Sequence, residues 1–559
     1  MMDALAESHD QPGSVFRGRA AGRAGLSLAL AGVWAVAVVS LWPALRSPRS
    51  RVIGSPGDMN IFSWGLQYAA YWPTHGCHPL FTRLFFPYSG GSNLAANTFV
   101  PLIGIVFAPV TLIFGVQVAY NAAMFASVAV LGSMVLVAVR RVYGVPPILG
   151  LVLACSAMFG SAQLAGLLGH LHLAFLPVVF GLLLLGWKVA LAPGGPRQLV
   201  LLAWLCLAQA LISSEMLLIV AVTVLLSWPL ADGERFRQHV GAVVDRVRKL
   251  SAFGVLALVT PVAAIFYFLL FATQGPEAFA GAHQPPGVFV TDLASLVIPT
   301  SLSGLRSFRD AALPFTGNGS EWYAFLGLPV AGALFLGRRV LLSSPRSRAA
   351  LTTVVVSTTL SFGPSLHIWG KDTHIPMPWA FVQSLPVFSS VVPARFSIVA
   401  TFGVIGCVAE LVSHFRLKPK AIAPLCGVLI ASIAMGIPNP PLLTSPLNDA
   451  RLRSIATDVV RECPPAIGSV GVVGTDAHLL GLGIQARARF RFLLENGFSF
   501  RSEGPVGVLD LATAAARKDG PIARCILSLD GPLDFGADAD RWSGSNTNGA
   551  VLYRRSSDT

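Results

Sequence analysis

The stretch FVPLIGIVFAPVTLIF, residues 99–114, decides the topology of everything that follows it. It is apolar, but it is short and carries Pro101, Gly104 and Pro109. The distribution of Lys and Arg arbitrates, because cytoplasmic loops of membrane proteins collect basic residues. If this run does not cross, one side holds nineteen of them: Arg17, Arg19, Arg23, Arg140, Arg141, Lys188, Arg197, Arg235, Arg237, Arg246, Arg248, Lys249, Arg338, Arg339, Arg346, Arg348, Arg416, Lys418 and Lys420. The other side holds seven: Arg46, Arg49, Arg51, Arg83, Arg306, Arg309 and Lys371. If it crossed, Arg140, Arg141 and all later basic loops would exchange sides. Residues 99–114 are therefore read as an interfacial or re-entrant helix inside a long first outer loop, 46–117.

The composition demands a membrane. Of 559 residues, 54% are hydrophobic, only 12% are charged, and mean hydropathy is +0.66. A soluble chain carries about 25% charged residues, so a soluble globule and a disordered chain are both excluded. The net charge of +13 lies wholly before Asp449, since the basic and acidic residues after it cancel. That pattern fits cytoplasmic loops and not a nucleic-acid surface. The seven cysteines have no CxxC or Cys/His spacing that would suggest zinc.

Eleven apolar runs are expected to cross: 26–45, 118–139, 146–166, 173–191, 199–213, 216–231, 251–272, 322–337, 349–363, 392–413 and 421–437. Several are shorter than the roughly 20 residues of a perpendicular span. The tail 1–24 is expected in the cytoplasm, the transmembrane domain over 25–437, a Pro-rich linker over 438–449, and a small α/β domain outside over 450–559. In that last segment Ser469–Val473 and Ala550–Tyr553 read as strands, and His478–Leu494 and Val508–Ala516 as helices. Cys463 and Cys525 lie there on the oxidising side, where a disulfide and two free buried thiols are both open.

Ionisable residues at span edges are costly and therefore functional candidates. Asp58, in GSPGDMNIFSWGLQYAAYW, has no basic neighbour within six residues. It reads as a general base on a hydroxyl or as the cap of an amphipathic helix. Asn93 and Asn97, in FFPYSGGSNLAANT, read as sugar-binding amides or as turn residues. His170 and His172 form an HxH pair in GLLGHLHLAF, which is not by itself a metal site. Glu215 is the lone charge in the 34 residues from Gln198 to Ala231. Glu321 precedes Trp322 at the end of the second outer loop, 273–321. The third, 364–391, holds His367, Lys371, Asp372 and His374. Arg395, in PARFSIV, enters from the outer side against the charge rule, which points either to an anionic lipid phosphate or to an acid such as Glu321. The Lys/Arg topology puts Asp58, His170, Glu215, Asp372 and Arg395 on one face.

With these motifs the chain resembles the GT-C superfamily, polytopic glycosyltransferases that use polyprenyl-phosphate sugars at the outer membrane face. The likeness lies in GDMN at the start of the large first loop, NTFVPLIGIVFAPVTLIFG, AVRRVYG, GHLHLAF, SSEMLL, FGPSLHIWGKDTHIPMPW and PARFSIV, over roughly residues 25–437. It implies an α-helical polytopic fold in a bacterial plasma membrane. It implies inverting sugar transfer from a lipid-linked donor to an extracytoplasmic acceptor, with Asp58 as base. Arg395, Lys371 or Arg83 would hold the leaving phosphate, while His170 and Glu215 would orient substrate. His172, Asn60, Asn93, Asn97, Glu321, Asp372 and His374 complete the expected site. Many relatives pair two acids in the first loop; here the pair reads Asp58 and Asn60, which weakens the case for a divalent metal, and no other cofactor is implied. A lipid or solute transporter, or flippase, shares the composition but would place its polar groups at the midplane. A non-catalytic partner in envelope assembly would leave Asp58 dispensable.

Overall fold

The computed structural model describes residues 15–85, 90–192, 194–278, 287–299, 303, 305–385, 387–415, 427, 429–430, 443–464, 469–473, 477–494, 499–501, 504–506, 525–530, 532–533 and 542–555. Among these, the chain is a helical bundle with one small mixed sheet. Five helices are long and apolar enough to span a bilayer: Ala24–Arg46 within α1 (Val15–Arg46), α4 (Val116–Tyr143), α10 (Ser214–Ala231), α12 (Ala252–Gln274) and Pro393–Phe415, which contains α17 (Phe396–Phe415). A sixth arises if α5 (Pro147–Phe159) and α6 (Ser161–Leu167), bent by 42°, count as one span. The chain is thus a multi-pass membrane protein, but the expected eleven crossings are not reproduced among the described residues. Runs 173–191 and 199–213 become α8 (Pro177–Leu191) and α9 (Pro196–Ala210), 15 residues each. Run 322–337 shortens to α14 (Leu328–Leu336) because residues 322–327 are not helical. Run 349–363 lies in α16 (Pro345–Ser361), rich in Ser and Thr. Run 421–437 and the linker fall largely outside the described residues.

Around the first outer loop the packing is close. α2 (Pro56–His75) starts with Pro at its first position, where no amide is needed, and stops at Gly76 with φ 63°. α3 (Pro101–Phe114) crosses it almost backbone to backbone. A Cβ on Gly65 would lie 2.4 Å from Phe99 O, and one on Gly104 would lie 2.4 Å from Ala69 Cβ. α3 leaves Ile105, Val106, Leu112, Ile113 and Phe114 exposed. At 14 residues it rises about 21 Å, less than a bilayer core of about 30 Å.

The C-terminal segment forms a five-stranded sheet with strand order 542–547, 550–555, 525–528, 469–473, 493–494. Ser469–Val473 runs parallel to both neighbours, and the other pairs are antiparallel. The expected helix 478–494 ends at Arg487, and Leu493–Leu494 is a strand. Residues 508–516 lie outside the described set. A disulfide joins Cys463 to Cys525, with Cα atoms 6.4 Å apart. The segment is not an appendage on a linker. Its apolar residues Ile455, Val459, Leu482, Ile484 and Phe492 share one core with Met59, Trp64 and Leu66 of α2. Strand Arg51–Ile53, just after α1, pairs antiparallel with Thr444–Pro446.

Candidate functional site

Asp58 lies in the first turn of α2, where a carboxylate meets the positive end of the helix dipole. It is not the N-cap; Ser55 holds that position. The start of α2 is tied to the turn after α6. Ser55 N donates to Leu168 O at 3.0 Å, and a Cβ on Gly54 (φ 88°) would sit 2.1 Å from Leu167 O. His170 N closes that turn on Gly166 O at 2.9 Å. The two segments thereby bring His170 Nε2 to 2.8 Å from Asp58 Oδ2. The carboxylate is 43% exposed and the imidazole 16%, so the pair sits at a surface with its acid outward. Among the described residues, Nδ1 of His170 is buried without a partner.

His172 does not join this pair. Its ring is buried, stacks on Phe62 at 5.3 Å and stands nearly perpendicular to His170. Both its nitrogens lack partners among the described residues. Burial, aided by the charges of Arg395 and His170, holds its pKa well below the usual histidine value. Asn60 also turns away from Asp58. Positions two apart on a helix point to opposite sides. Its Nδ2 donates to Pro56 O at 3.0 Å and Gly57 O at 3.3 Å, while its Oδ1 abuts Gly483 of the C-terminal segment. Asp58 and Asn60 therefore cannot chelate one ion, and among the described residues no group of three or more His, Cys, Asp or Glu is arranged to hold one.

A second cluster is buried nearby. Arg395 forms a bidentate pair with Glu321, Nε to Oε2 at 3.1 Å and Nη2 to Oε1 at 2.5 Å, and its Nη1 donates to Glu215. Glu215 also accepts from Val392 N at 2.7 Å. Arg395 is only 13% exposed. Of the two partners the sequence left open for Arg395, acid or lipid phosphate, it has the acid, twice over. Three of its five N–H bonds go to carboxylates. The two clusters come together through the short His170–His172 stretch and the field of Arg395 on His172.

Asn93 is fully buried and works as a brace: Nδ2 donates to Phe271 O at 2.8 Å, and Oδ1 accepts from Ala95 N at 3.0 Å. Asn97 donates to Asn93 O at 2.7 Å. These two amides hold the loop, and Asn93 in particular is not open to a sugar. Arg83 and Lys371 are exposed. Lys371 opens strand Lys371–Pro376, paired with Ser365–Ile368. Asp372, 38% exposed, accepts from His374 N at 2.8 Å and lies 3.4 Å from His374 Nδ1. The hydrogen bond from the His374 amide, with one from Ser365, holds its carboxyl below the usual range.

The sequence reading missed Asp292. It is 2% exposed and accepts from Ala294 N at 2.8 Å, Trp369 N at 2.9 Å and Gly370 N at 2.6 Å. Its carboxylate ties the second outer loop to the tip of the hairpin. The only signal was a lone acid in VTDLASL.

Between α14 and α17 runs an apolar groove of about 290 Å³, lined by Val330, Ala333, Leu336, Val408, Leu411 and Leu429. A smaller cavity of about 80 Å³ shares Val330 and Val408 with it and reaches Ser161. Ser161 Oγ donates to Tyr323 O at 2.7 Å, two residues from Glu321. The groove thus rises along α17 towards the Arg395 cluster; Asp58 lines neither cavity.

No protein-family model matches this sequence, and no curated protein matches it. Solved structures do. The chain is similar to arabinofuranosyltransferase AftD from Mycobacteria, with a TM-score of 0.53 and 11% identity over 95% of this chain and 40% of that one. It is similar to ArnT from Cupriavidus metallidurans bound to undecaprenyl phosphate, with a TM-score of 0.49 and 13% identity over 94% and 97% of the two chains. It is similar to oligosaccharyltransferase AglB from Archaeoglobus fulgidus in complex with an inhibitory peptide and a dolichol-phosphate, with a TM-score of 0.42 and 12% identity over 95% and 74%. The chain has the GT-C fold.

Proposed function

We propose that this chain is a membrane glycosyltransferase that moves a sugar from a polyprenyl-phosphate donor to a hydroxyl on an extracytoplasmic acceptor. The observation that carries the reading is the Asp58–His170 pair at 2.8 Å, with the carboxylate outward. The shared fold with a sugar transferase supports it.

The chemistry follows from the pair. His170 donates its Nε2–H to Asp58 Oδ2, which fixes the orientation of the carboxylate. Asp58 takes the proton of the acceptor hydroxyl as that oxygen attacks the anomeric carbon. The bond from that carbon to the phosphate oxygen breaks, and polyprenyl phosphate leaves with the electron pair. The exposed cations Arg83 and Lys371 are the residues to meet that phosphate, because Arg395 is occupied. Arg395, Glu215 and Glu321 instead fix the entry of α17, whose far end lines the groove that suits an isoprenoid chain.

Asp58→Asn tests this directly. The amide keeps the volume and takes no proton. General-base help is worth about 10²–10⁴ in rate, so transfer by the purified variant should fall by at least about two orders of magnitude while donor binding persists. Near-normal transfer would remove Asp58 from the mechanism and with it the proposed activity.

A further inference from the structure

Helix α11 (Phe236–Arg248) lies at the end of the bundle away from Asp58, since it follows the far end of α10 and packs under the far end of α8. Its inner side is well anchored. Phe236 packs edge-on against Trp228 at 5.1 Å. His239 Nε2 meets Asp232 Oδ2 at 3.1 Å. Val243 joins the small core of Leu185, Val189 and Leu199. Arg246 is buried and caps α8, donating to Val189 O at 3.2 Å and Ala192 O at 2.7 Å.

A second face has no such cover. Val240, Val244 and Val247 are 39%, 44% and 42% exposed. At about 100° per residue they fall within about 60° of arc, beside the anchored face. Arg237 and Arg248 flank this row on one side, Arg235 and Lys249 stand at the two helix ends across from it, and all four are exposed. Arg248 reaches Asp245 only at 3.8 Å, with both side chains largely in solvent. The helix connects α10, which ends at Ala231, to α12, which starts at Ala252, so it lies where two spans leave the bilayer.

We propose that α11 lies flat in the headgroup layer, with its valine row in the acyl boundary and its arginines and lysine on anionic lipid headgroups. Continuity with the spanning helices sets the depth, and the exposed cations set the lipid charge. A helix of this kind buries its apolar face about 5–10 Å into the boundary region. Each basic residue near an anionic surface is worth about 1 kcal/mol, about fivefold in partitioning.

The test uses the full-length chain with its free cysteines replaced by serine and Val244→Cys carrying a nitroxide. It is reconstituted in vesicles of phosphatidylcholine alone and with about one third phosphatidylglycerol. The label should be more accessible to oxygen than to a water-soluble nickel complex. Phosphatidylglycerol should be enriched at least fivefold among lipids that stay on the protein in native mass spectrometry. The variant Arg235→Gln/Arg237→Gln/Arg248→Gln/Lys249→Gln should lose that enrichment. A label open to nickel in both vesicle types overturns the proposal. So does a label shielded from both reagents, which would mean that protein and not lipid covers the valines. The depth reading needs no charge variant, and it is independent of any transferase activity.

Discussion

The indole N–H of Trp64 donates to Oε1 of Gln485, 421 residues later, at 2.8 Å. Gln485 in turn donates to Leu84 O at 2.6 Å and Phe492 O at 3.0 Å. One buried amide therefore joins the helix of Asp58, the first outer loop and the C-terminal sheet. Gln485→Ala strands the Trp64 indole donor and the Phe492 carbonyl in the core, while Leu84 O keeps the Leu494 amide at 2.9 Å. Each stranded group costs about 1–3 kcal/mol. The expected result is a lower unfolding midpoint for the whole chain in one transition, read by calorimetry in detergent. A separate early transition of the C-terminal segment, with transfer unchanged, would show that the segment does not hold α2.

The Arg395 cluster makes a stability prediction of another kind. Removing one member of a buried pair leaves an uncompensated charge and costs about 3–5 kcal/mol. Arg395→Met leaves the carboxylates of Glu215 and Glu321 without their cation and should lower folded yield and melting temperature strongly. Glu215→Gln/Glu321→Gln/Arg395→Met removes all three charges and should recover part of the loss. A triple variant as unstable as the single one would mean that the specific contacts, and not charge balance, set the stability.

These two sites mark what sequence could reveal. Arg395 was legible as an oddity, because a lone arginine entering from the outer side violates a charge rule, and Glu321 was already one of its two possible partners. Glu215 stood out for the same reason, an acid in a long uncharged run. The convergence of Asp58 with His170 was legible only as a shared side of the membrane. Their contact depends on Gly54 and Gly169, whose positive φ values of 88° and 147° no Lys/Arg count encodes. The merger of the C-terminal segment with α2 was not legible. Met59 to Ala70 is buried on every side, and its polar stripe of Asn60, Ser63 and Gln67 reads as a solvent face, so the run gives no sign that the C-terminal segment covers it. Asp292 was hidden because its carboxylate is held by the backbone amides of Ala294, Trp369 and Gly370, which carry no sequence signature.

His172 predicts an acid sensitivity whose sign can be worked out. Its folded pKa is depressed by burial, against about 6.5 for a free imidazole. Below about pH 6.5 the unfolded chain binds a proton that the folded chain refuses, so stability is whole above that pH and declines as pH falls. The slope is at most about 1.4 kcal/mol per pH unit for one group. His172→Phe keeps a ring against Phe62 and removes the titration. Between pH 7.5 and 5.5 the unmodified chain should lose more melting temperature than the variant, in paired thermal scans. Equal losses would assign the acid sensitivity to other groups.

The remaining prediction separates orientation from packing at His170. Its Nε2 faces Asp58 at 2.8 Å while its Nδ1 has no partner, so the imidazole's link to the acid is a single N–H donor. A glutamine side chain can place an N–H near the same point, and alanine cannot. A hydrogen bond to a charged group is worth about 1.5–3 kcal/mol, about 10- to 150-fold. If His170 holds the Asp58 carboxylate in place, His170→Ala should lower kcat by about 10- to 100-fold with little change in the KM for donor. Losing a donor to the ionised form also raises the pKa of Asp58, so the acid limb of the pH–rate profile should move to higher pH. His170→Gln should recover most of the rate and return the limb towards its original position. If His170 only fills space, glutamine and alanine should both lower the melting temperature and leave the limb where it was. Steady-state transfer by both variants across pH decides between the two, since packing alone has no reason to move an acid limb.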